Sequence, residues 1–267
     1  MTNFLKIEKG LGPERRIAVV RFDRGDRINA LSNDAIRELT RAAESFEDDS
    51  ETSVVILTGG KAFTAGADLK GGGRDSPGAM DASSIRCRQR AGPRLTRAWY
   101  EMDQVTIAAI EGFCIGGGVA LAVALDFRIM ARDAHMRIPE IALGMNMSWQ
   151  TIPRMLQLVG PARTKQAIIL ADQRISAAEA HGWGLVDQVT ESGASFLAAM
   201  ELAQKIAAQP PIPVAMTKQT VNRLSGAFDD LASHMDLDQH LLTCMTDDYR
   251  EGMAAFLEKR KPHFKGR

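Results

Sequence analysis

The stretch SVVILTGGKAFTAGADLK at residues 53–70 decides the fold class. Its first six residues form a continuous, mostly apolar run, which is the pattern of a strand buried on both faces of a sheet. A glycine-rich turn follows directly, and small residues continue after it. A buried strand that ends in such a turn favours an α/β core, in which strands and helices alternate along the chain.

The sequence on either side supports this assignment. Residues 17–22 (IAVVRF) and 105–110 (VTIAAI) have the apolar, β-branched pattern of strands, and 127–131 is typical of a shorter one. Ser32 is a typical helix N-cap, and apolar residues recur after it at helical spacing as far as Phe46. The first half of the chain is therefore predicted to be α/β with short crossovers.

The second half changes character from about Trp149, because apolar residues recur there at helical spacing. One strand-like run remains, at 185–189. No stretch has the composition of a linker, so we predict a helical extension on the α/β core. The predicted helices lie near 149–158, 162–171, 176–182, 195–208, 213–226, 228–246 and 248–260.

Glycines and prolines lie among polar residues between 71 and 93. This composition predicts a long, mobile surface loop. Two interpretations of the loop stay open: a tolerated insertion, or a lid beside a functional site.

Composition and charge exclude several classes of protein. The chain has 267 residues, 45% of them hydrophobic, which is enough for a sizeable core. Lys and Arg together number 33, as do Asp and Glu, so the chain lacks the net positive charge of a general nucleic-acid binder. No apolar run approaches the roughly 20 residues that span a bilayer, and the N-terminus lacks a signal-peptide core. Three well-separated cysteines, an odd number, favour a reducing compartment, and we expect a cytoplasmic protein.

Common catalytic and cofactor motifs are absent from the sequence. The sequence contains no phosphate-binding P-loop motif, no HExxH metal motif and no GxSxG nucleophile elbow. The glycine run at 116–118 does not fit the GxGxxG pattern of a dinucleotide site. The cysteines show no metal-ligand spacing, and the five scattered histidines are interpreted as structural or surface residues.

Two turns rich in small residues each follow a predicted buried strand. They are AGADL at 65–69 and GGG at 116–118. Small residues at strand-to-helix turns leave backbone N–H groups open to a ligand, and two such donors aimed at one oxygen make an oxyanion hole. Tight helix–strand packing without a ligand is the alternative for either turn alone, and their occurrence together favours the catalytic interpretation.

Five segments occur in order along essentially the whole chain: RINAL at 27–31, VVILTGGKAFTAGADLK at 54–70, IEGFCIGGG at 110–118, IPEIALG at 138–144 and EGMAAFLEKRKPHFK at 251–265. In this ordered set the chain resembles the enoyl-CoA hydratase/isomerase, or crotonase, family. The resemblance implies the crotonase (ClpP-like) α/β fold, a spiral of ββα units over residues 1–195. A C-terminal helical region, 196–267, would build homotrimers, often paired into hexamers.

The resemblance also implies an acyl-CoA thioester substrate and no separate cofactor, since coenzyme A is part of the substrate. The N–H groups of Ala67 and Gly117 would hold the thioester oxygen. Removing a proton beside a thioester, or adding water across its conjugated double bond, builds negative charge on that oxygen, which preorganised donors stabilise.

The number of carboxylates separates members of the family. A typical hydratase holds its water with two glutamates, one placed two residues after the glycine run and one in the Pro-Glu pair. This sequence has Ala120 at the first position and Glu140 at the second. An apolar residue with one glutamate resembles the Δ3,Δ2-enoyl-CoA isomerases, in which one carboxylate moves a proton from C2 to C4. A surface or capping role for Glu140 is the alternative.

Other branches of the family carry an aspartate eight residues beyond the second glutamate. Here that position is Ser148, which argues against a dehalogenase or a dienoyl-CoA isomerase. The usual glycine-rich segment is replaced by MNMSWQ at 145–150. Met145, Met147 and Trp149 would either line an acyl pocket or serve as packing at a helix start.

For coenzyme A, the resemblance implies Lys61 and Lys70 near the nucleotide phosphates, with Phe256 and Lys259 at the adenine end, often from a neighbouring subunit. Ordinary solvated lysines are the alternative for each. The full set of predicted substrate-binding residues is Arg27, Ile28, Lys61, Ala65, Ala67, Asp68, Leu69, Lys70, Gly116, Gly117, Trp149, Phe256 and Lys259.

Three functions follow from these residues. The favoured one is 3-enoyl to 2-enoyl isomerisation with Glu140 as general base and acid. Enoyl-CoA hydration at a modified site is the second, and acyl-CoA binding with little turnover is the third. No metal, nucleic-acid or membrane partner is expected.

Overall fold

A computed structural model describes residues 4–69, 81–171 and 173–267 of the protein. The strands in these ranges are Leu5–Leu11 (β1), Ile17–Phe22 (β2), Val54–Thr58 (β3), Val105–Ile110 (β4), Phe113–Ile115 (β5), Phe127–Ala131 (β6), His135–Arg137 (β7), Ile175–Ser176 (β8) and Gln188–Thr190 (β9). The α-helices are Asn33–Glu44 (α1), Ala82–Gln89 (α2), Ala91–Tyr100 (α3), Gly117–Ala122 (α4), Thr151–Ile169 (α5), Ala177–Trp183 (α6), Ser195–Ala207 (α7), Pro211–Ser225 (α8), Asp229–Ser233 (α9), Asp236–Cys244 (α10) and Asp247–Glu258 (α11).

The larger sheet has the strand order β1-β2-β3-β4-β6-β9. β1 and β2 are antiparallel, and the other pairs are parallel. In register, Val54 of β3 lies between Ile17 of β2 and Val105 of β4. Every residue of β3 and β4 is buried, which explains their continuous apolar sequence.

Helices cover both faces of this sheet. Val55 and Leu57 belong to the main core, together with the apolar side of α1 and with α4. Val54 and Ile56 point to the other face, where α7 packs. Three small residues on α7 lie against the strands: Ala199, Ala203 and Ala207. The division of the chain at residue 195 stays a prediction, although α7, which begins there, packs on the core sheet.

A small second sheet has the order β5-β7-β8, and two residues separate its first strand from the carboxyl end of β4. Gly112 links β4 to β5 with φ +60, and a Cβ there would lie 2.7 Å from the carbonyl oxygen of Lys61. This close approach brings the turn after β3 beside the link from β4 to β5.

Most of the predicted elements are confirmed. The strand over 17–22 and the helix after Ser32 are present, and the Ser32 side chain accepts a hydrogen bond from the Ala35 N–H. The two predicted helices near 149–158 and 162–171 correspond to α5, which is interrupted at Gly160 by non-helical dihedrals. The strand predicted over 185–189 begins three residues too early, since β9 is Gln188–Thr190.

Three predictions were wrong or incomplete. The predicted loop over 71–93 is wrong for 82–93, where α2 and the start of α3 form, and its first part, 71–80, lies outside the described residues. The single helix predicted over 228–246 is two helices, α9 and α10. The sequence analysis did not identify β1, which is half-exposed at the sheet edge.

No helix in the described part of the chain combines the length and the apolar character needed to cross a membrane.

Candidate active site

The first glycine turn leaves the N–H group of Ala67 without an acceptor. Gly66 has φ +79, and a Cβ there would lie 2.4 Å from the carbonyl oxygen of Ile115. The Leu31 N–H donates to the Gly66 oxygen at 2.7 Å, and the Asp68 N–H donates to the Leu31 oxygen at 3.1 Å. This parallel bridge directs the N–H of Ala67 to the opposite side, where it has no hydrogen bond within the described residues.

The second glycine turn likewise leaves the N–H group of Gly117 without an acceptor within the described residues. Gly116 has φ +53, and its N–H donates to the carbonyl oxygen of Arg137 at 2.8 Å. Gly117 is the first residue of α4, so its N–H has no acceptor inside the helix, nor among the other described residues. The two turns are in close contact, because a Cβ on Gly66 would lie 3.3 Å from the Gly117 nitrogen.

Both turns open into one cavity of about 210 Å³. Predicted residues that line it are Ala67, Asp68, Leu69, Gly117, Glu140, Met145, Met147, Ser148 and Trp149. Two backbone donors without acceptors, side by side at a cavity wall, are what an oxyanion hole requires.

The turn that carries Glu140 is held from both sides. The Glu140 carbonyl oxygen accepts from the N–H groups of Leu143 (3.0 Å) and Met145 (2.9 Å). Gly144 has φ +74, and a Cβ there would lie 2.7 Å from the backbone of Tyr249 in α11. Gly252 of α11 packs equally closely on Leu143. Helix α11 therefore fixes the position of the 3₁₀ turn Ile141–Leu143 that begins at Glu140.

The Glu140 carboxylate faces the second glycine turn and has one of its two oxygens buried. Its Oε2 atom accepts no hydrogen bond within the described residues, and a Cβ on Gly116 would lie 2.6 Å from its Oε1 atom. Burial raises the pKa of Glu140 from the ordinary 4.5 to about 7, against the smaller lowering effects of a hydrogen bond from its own backbone N–H and of the Arg137 charge. A carboxylate with this pKa takes up and releases a proton near neutral pH.

Position 120 offers no second carboxylate. Ala120 is fully buried in α4 and is part of the main core. Ser148 lines the cavity, but it is largely buried, and its carbonyl oxygen accepts the Thr151 hydroxyl at 2.6 Å. Among the described residues that line the cavity, Glu140 is therefore the carboxylate without an ion pair, whereas Asp68 is paired with Arg24 at 2.9 Å.

Helices from the end of the chain complete the cavity. His240 and Cys244 of α10 and Tyr249 of α11 line it. His240 Nδ1 lies 2.9 Å from the carbonyl oxygen of Asn146, and Cys244 Sγ lies 3.6 Å from His240 Nε2. Sequence reasoning missed these three residues, because they lie about a hundred positions from Glu140 and have no local motif.

Four of the predicted substrate-binding residues, Arg27, Ile28, Lys61 and Ala65, are not among those that line the cavity. Arg27, Ile28 and Lys61 are exposed, and the Ala65 N–H donates to the Ile28 oxygen at 2.8 Å. Exposed positions suit contacts to a charged nucleotide, but the geometry by itself assigns none to them.

Two further predicted residues lie at the end of α11. Phe256 is half-exposed, and Lys259 is the left-handed C-cap of the helix, with φ +56. Lys70 lies outside the described residues.

Known proteins resemble this chain over nearly its full length. A family model described as enoyl-CoA hydratase/isomerase matches residues 12–267. The chain is 34% identical to a short-chain-enoyl-CoA hydratase of Clostridium acetobutylicum, over 94% of this chain and 95% of that protein. It is also 34% identical to a crotonyl-CoA hydratase of Syntrophomonas wolfei, over 95% and 96% of the two chains.

Solved structures agree with the expected fold. The crystal structure of an enoyl-CoA hydratase from Bacillus anthracis matches with a TM-score of 0.76 and 32% identity, over 99% of this chain and all of that one. The predicted crotonase-type α/β fold with C-terminal helices is confirmed. The chain belongs to the enoyl-CoA hydratase/isomerase family.

Proposed function

We propose that the protein moves the double bond of a 3-enoyl-CoA to the 2-position, with Glu140 as the proton carrier. The observation that carries this proposal is a carboxylate with a buried oxygen that has no partner among the described residues, in the same cavity as two unused backbone donors. The family establishes an enzyme of the enoyl-CoA hydratase/isomerase type, and the choice of isomerisation is ours.

The chemistry needs only groups that the chain supplies. The Glu140 carboxylate takes a proton from C2 of the 3-enoyl thioester, and the electron pair of the C–H bond moves into the dienolate. The N–H groups of Ala67 and Gly117 stabilise the negative charge on the thioester oxygen; losing one such donor typically costs about 2.7–4 kcal/mol. Glu140 then returns a proton to C4, which regenerates the carboxylate and yields the 2-enoyl thioester. No cofactor takes part in this scheme.

The pKa of about 7 for Glu140 suits both steps. A general base that is half-ionised near neutral pH removes a proton readily and, once protonated, gives it up readily. Isomerisation needs both properties in the same group, and a carboxylate with the ordinary pKa of 4.5 would be a weaker base toward the C2 proton.

Enoyl-CoA hydration is the second candidate. It is favoured by the names of two relatives that are 34% identical, a short-chain-enoyl-CoA hydratase and a crotonyl-CoA hydratase. Hydration requires a water held by two acceptors, and Ala120 supplies none. A hydratase built on this chain would have to hold its water with Glu140 and a neutral group, with Ser148, Trp149 and Asn146 as the first residues to examine.

The test compares two reactions of the wild type and of Glu140→Gln. We expect isomerisation of 3-hexenoyl-CoA to be faster than hydration of 2-hexenoyl-CoA. Glu140→Gln keeps the shape but cannot accept a proton, so turnover should fall by about 10²–10⁴-fold, while hexanoyl-CoA still binds. Glu47→Gln, which removes an exposed carboxylate, is the matched control.

Each contrary result points to a different function. Hydration as fast as isomerisation in the wild type would assign the protein as a hydratase. Tight hexanoyl-CoA binding with neither reaction would identify an acyl-CoA-binding homologue. Full activity in Glu140→Gln would remove Glu140 from the mechanism.

The remaining parts of the proposal concern substrate binding, assembly and location. We propose that Lys61, Lys70, Phe256 and Lys259 contact coenzyme A. We also propose a homotrimer or hexamer, supported by large apolar side chains that are exposed on α8 and around α9 and α10: Leu224, Phe228, Leu231, Leu242 and Met245. The cysteines Cys87, Cys114 and Cys244, which form no disulfide with one another, support a reducing compartment, the cytoplasm.

A further inference from the structure

Trp149 has an unusual backbone for an aromatic residue. Its φ is +64, and the next residue, Gln150, has φ +58. A left-handed conformation costs a bulky residue about 1–2 kcal/mol and persists only where the surroundings hold it. Here the Thr96 hydroxyl donates to the Trp149 oxygen at 3.1 Å, and the Gln150 N–H donates to the Asp236 carboxylate at 3.0 Å. Contacts from α3 and α10 therefore hold the tryptophan in this position.

The indole ring fits between two glycines. A Cβ on Gly92 of α3 would lie 1.8 Å from Trp149 Cε2, and a Cβ on Gly117 of α4 would lie 2.8 Å from Cζ3. Neither position accepts a side chain while the ring is present. The ring therefore fills a slot between α3 and the first turn of α4, beside the N–H group that the oxyanion hole uses.

This slot is the place that a long side chain at position 120 would need. Residues 117 and 120 are three apart on α4 and so share one face of the helix. Side chains on a helix point toward its N-terminus and cover the preceding turn. A glutamate in place of Ala120 would consequently extend over the turn of Gly117, where the indole already lies.

We propose that Trp149 is the specificity-determining residue of the site, because its indole occupies the volume that a second water-holding group and its water would require. This inference rests on the proposed isomerase function and explains how water is kept from the dienolate. Ala120 and Trp149 form a coupled pair. Ala120 supplies no water-holding group, and the Trp149 indole fills the space that such a group would need.

The test is a double-mutant cycle with Ala120→Glu, Trp149→Ala and the double variant. The measured quantity is the ratio of 2-hexenoyl-CoA hydration to 3-hexenoyl-CoA isomerisation. Ala120→Glu alone should not raise this ratio, because the new side chain meets the indole. The double variant should raise it at least tenfold over either single variant. Trp183→Ala, which removes a tryptophan of α6 that does not line the cavity, is the matched control and should keep the wild-type ratio.

A second variant and a second readout cover the case in which Trp149→Ala does not fold. Gly92→Ala adds a methyl group that displaces the indole. In D₂O, proton transfer by Glu140 in a water-poor site should carry the substrate's own hydrogen to C4 in most turnovers. Gly92→Ala should increase deuterium at C4 of the product severalfold.

The inference and the proposed function can fail separately. The wild-type ratio alone tests the function, whereas the changes between variants test the role of Trp149. A hydration gain in Ala120→Glu as large as in the double variant would overturn the inference. Unchanged deuterium incorporation in folded Gly92→Ala would overturn it as well.

Discussion

The two ends of helix α4 handle buried polar groups in opposite ways. At its N-terminal end, the Gly117 N–H and the nearby Glu140 Oε2 atom have no partner within the described residues. Just beyond its C-terminal end, Asp126, Arg128 and Lys218 form a set of hydrogen bonds and ion pairs. One short helix joins the two regions, so both lie in the same part of the core. We therefore attribute the difference in hydrogen bonding between them to function.

Just beyond the C-terminal end of α4, at what we call the paired end, Asp126, Arg128 and Lys218 each have several polar partners. The N-terminal end, with Gly117 and Glu140, is the unpaired end. Lys218 Nζ lies 2.8 Å from the Asp126 carboxylate and donates to the Gln104 carbonyl oxygen at 2.7 Å. The same carboxylate accepts the N–H and the hydroxyl of Thr106, at 2.7 and 2.9 Å. Arg128 donates to the carbonyl oxygens of Leu125 and Leu185 and is paired with Asp187. These bonds join α8 and the region after α4 to strand β4.

The comparison distinguishes polar groups that are buried to support the fold from polar groups that are buried for catalysis. A buried polar group with all its bonds made supports one arrangement of the chain, whereas an unpaired one lowers stability and is retained where chemistry needs it. Removing a partner at the paired end should therefore reduce stability. Removing the carboxylate at the unpaired end should reduce activity and increase stability.

Lys218→Met should produce the largest loss of stability. It keeps most of the side-chain length of the buried Lys218 but leaves the partly buried Asp126 carboxylate without its ion pair. Breaking one partner of a buried pair typically costs about 3–5 kcal/mol of unfolding free energy. Urea unfolding at fixed protein concentration measures the change.

The control for this prediction is Lys205→Met, which removes an exposed lysine on α7. Adding Asp126→Asn to Lys218→Met should recover part of the lost free energy, since no unpaired charge is then left buried. A loss in Lys218→Met no larger than that in Lys205→Met would show that the ion pair of Lys218 with Asp126 does not stabilise the fold.

Glu140→Gln should have the next largest effect, and the effect should depend on pH. The folded protein holds the pKa of Glu140 at about 7, above the ordinary 4.5. Between these values the unfolded chain loses the proton while the folded chain keeps it, so the wild type loses stability as pH rises from 4.5 to 7. The loss is up to about 3 kcal/mol, at 1.36 kcal/mol per pKa unit, and stays constant above pH 7.

The glutamine variant has no such proton to lose. Its unfolding free energy, compared with that of the wild type at pH 4, 5, 6, 7 and 8, should rise through this window and then level off. Glu47→Gln controls for the removal of one acidic group. A difference that is independent of pH would mean that the Glu140 carboxylate is solvated and that the unpaired end is not a strained site.

The sequence predicted the parts of the site that depend on local pattern. The buried strand 54–58 and its glycine turn follow from an apolar run and from small residues, and Glu140 follows from the family resemblance. Helix α2 had a usable signal that was overlooked, since the Asp81 side chain caps it by accepting the Ser84 N–H at 2.9 Å. Glycine-rich neighbours led to the prediction of a loop there.

Other parts of the site depend on contacts between distant segments. The position of the Trp149 ring depends on Gly92, 57 positions earlier, and its backbone is held by Asp236, far along the chain. His240 enters the cavity because the Asn146 loop meets α10. No periodicity or spacing in the sequence encodes these contacts, because each is decided by how whole helices pack.

Lys61→Ala should have the smallest effect of the series. Lys61 is an exposed charge in the turn that leads to Ala67, and the proposal places it near the phosphates of coenzyme A. An exposed ion pair contributes up to about 1 kcal/mol, so the Kd for hexanoyl-CoA should rise about two- to fivefold at low salt. Ions screen such a pair over a Debye length of about 10 Å at 0.1 M, so the difference should shrink with added salt.

Isothermal titration with hexanoyl-CoA at 20 and 200 mM salt measures both effects, and Lys205→Ala, an exposed lysine on α7, is the matched control. The ratio of isomerisation to hydration should stay as in the wild type, because Lys61 contacts neither Glu140 nor the cavity in which the proton moves. An equal Kd for Lys61→Ala and Lys205→Ala at low salt would remove Lys61 from the coenzyme A site. A larger, salt-independent loss would instead show that Lys61 holds the turn of Ala67 in place, because a change in backbone geometry is not screened by ions.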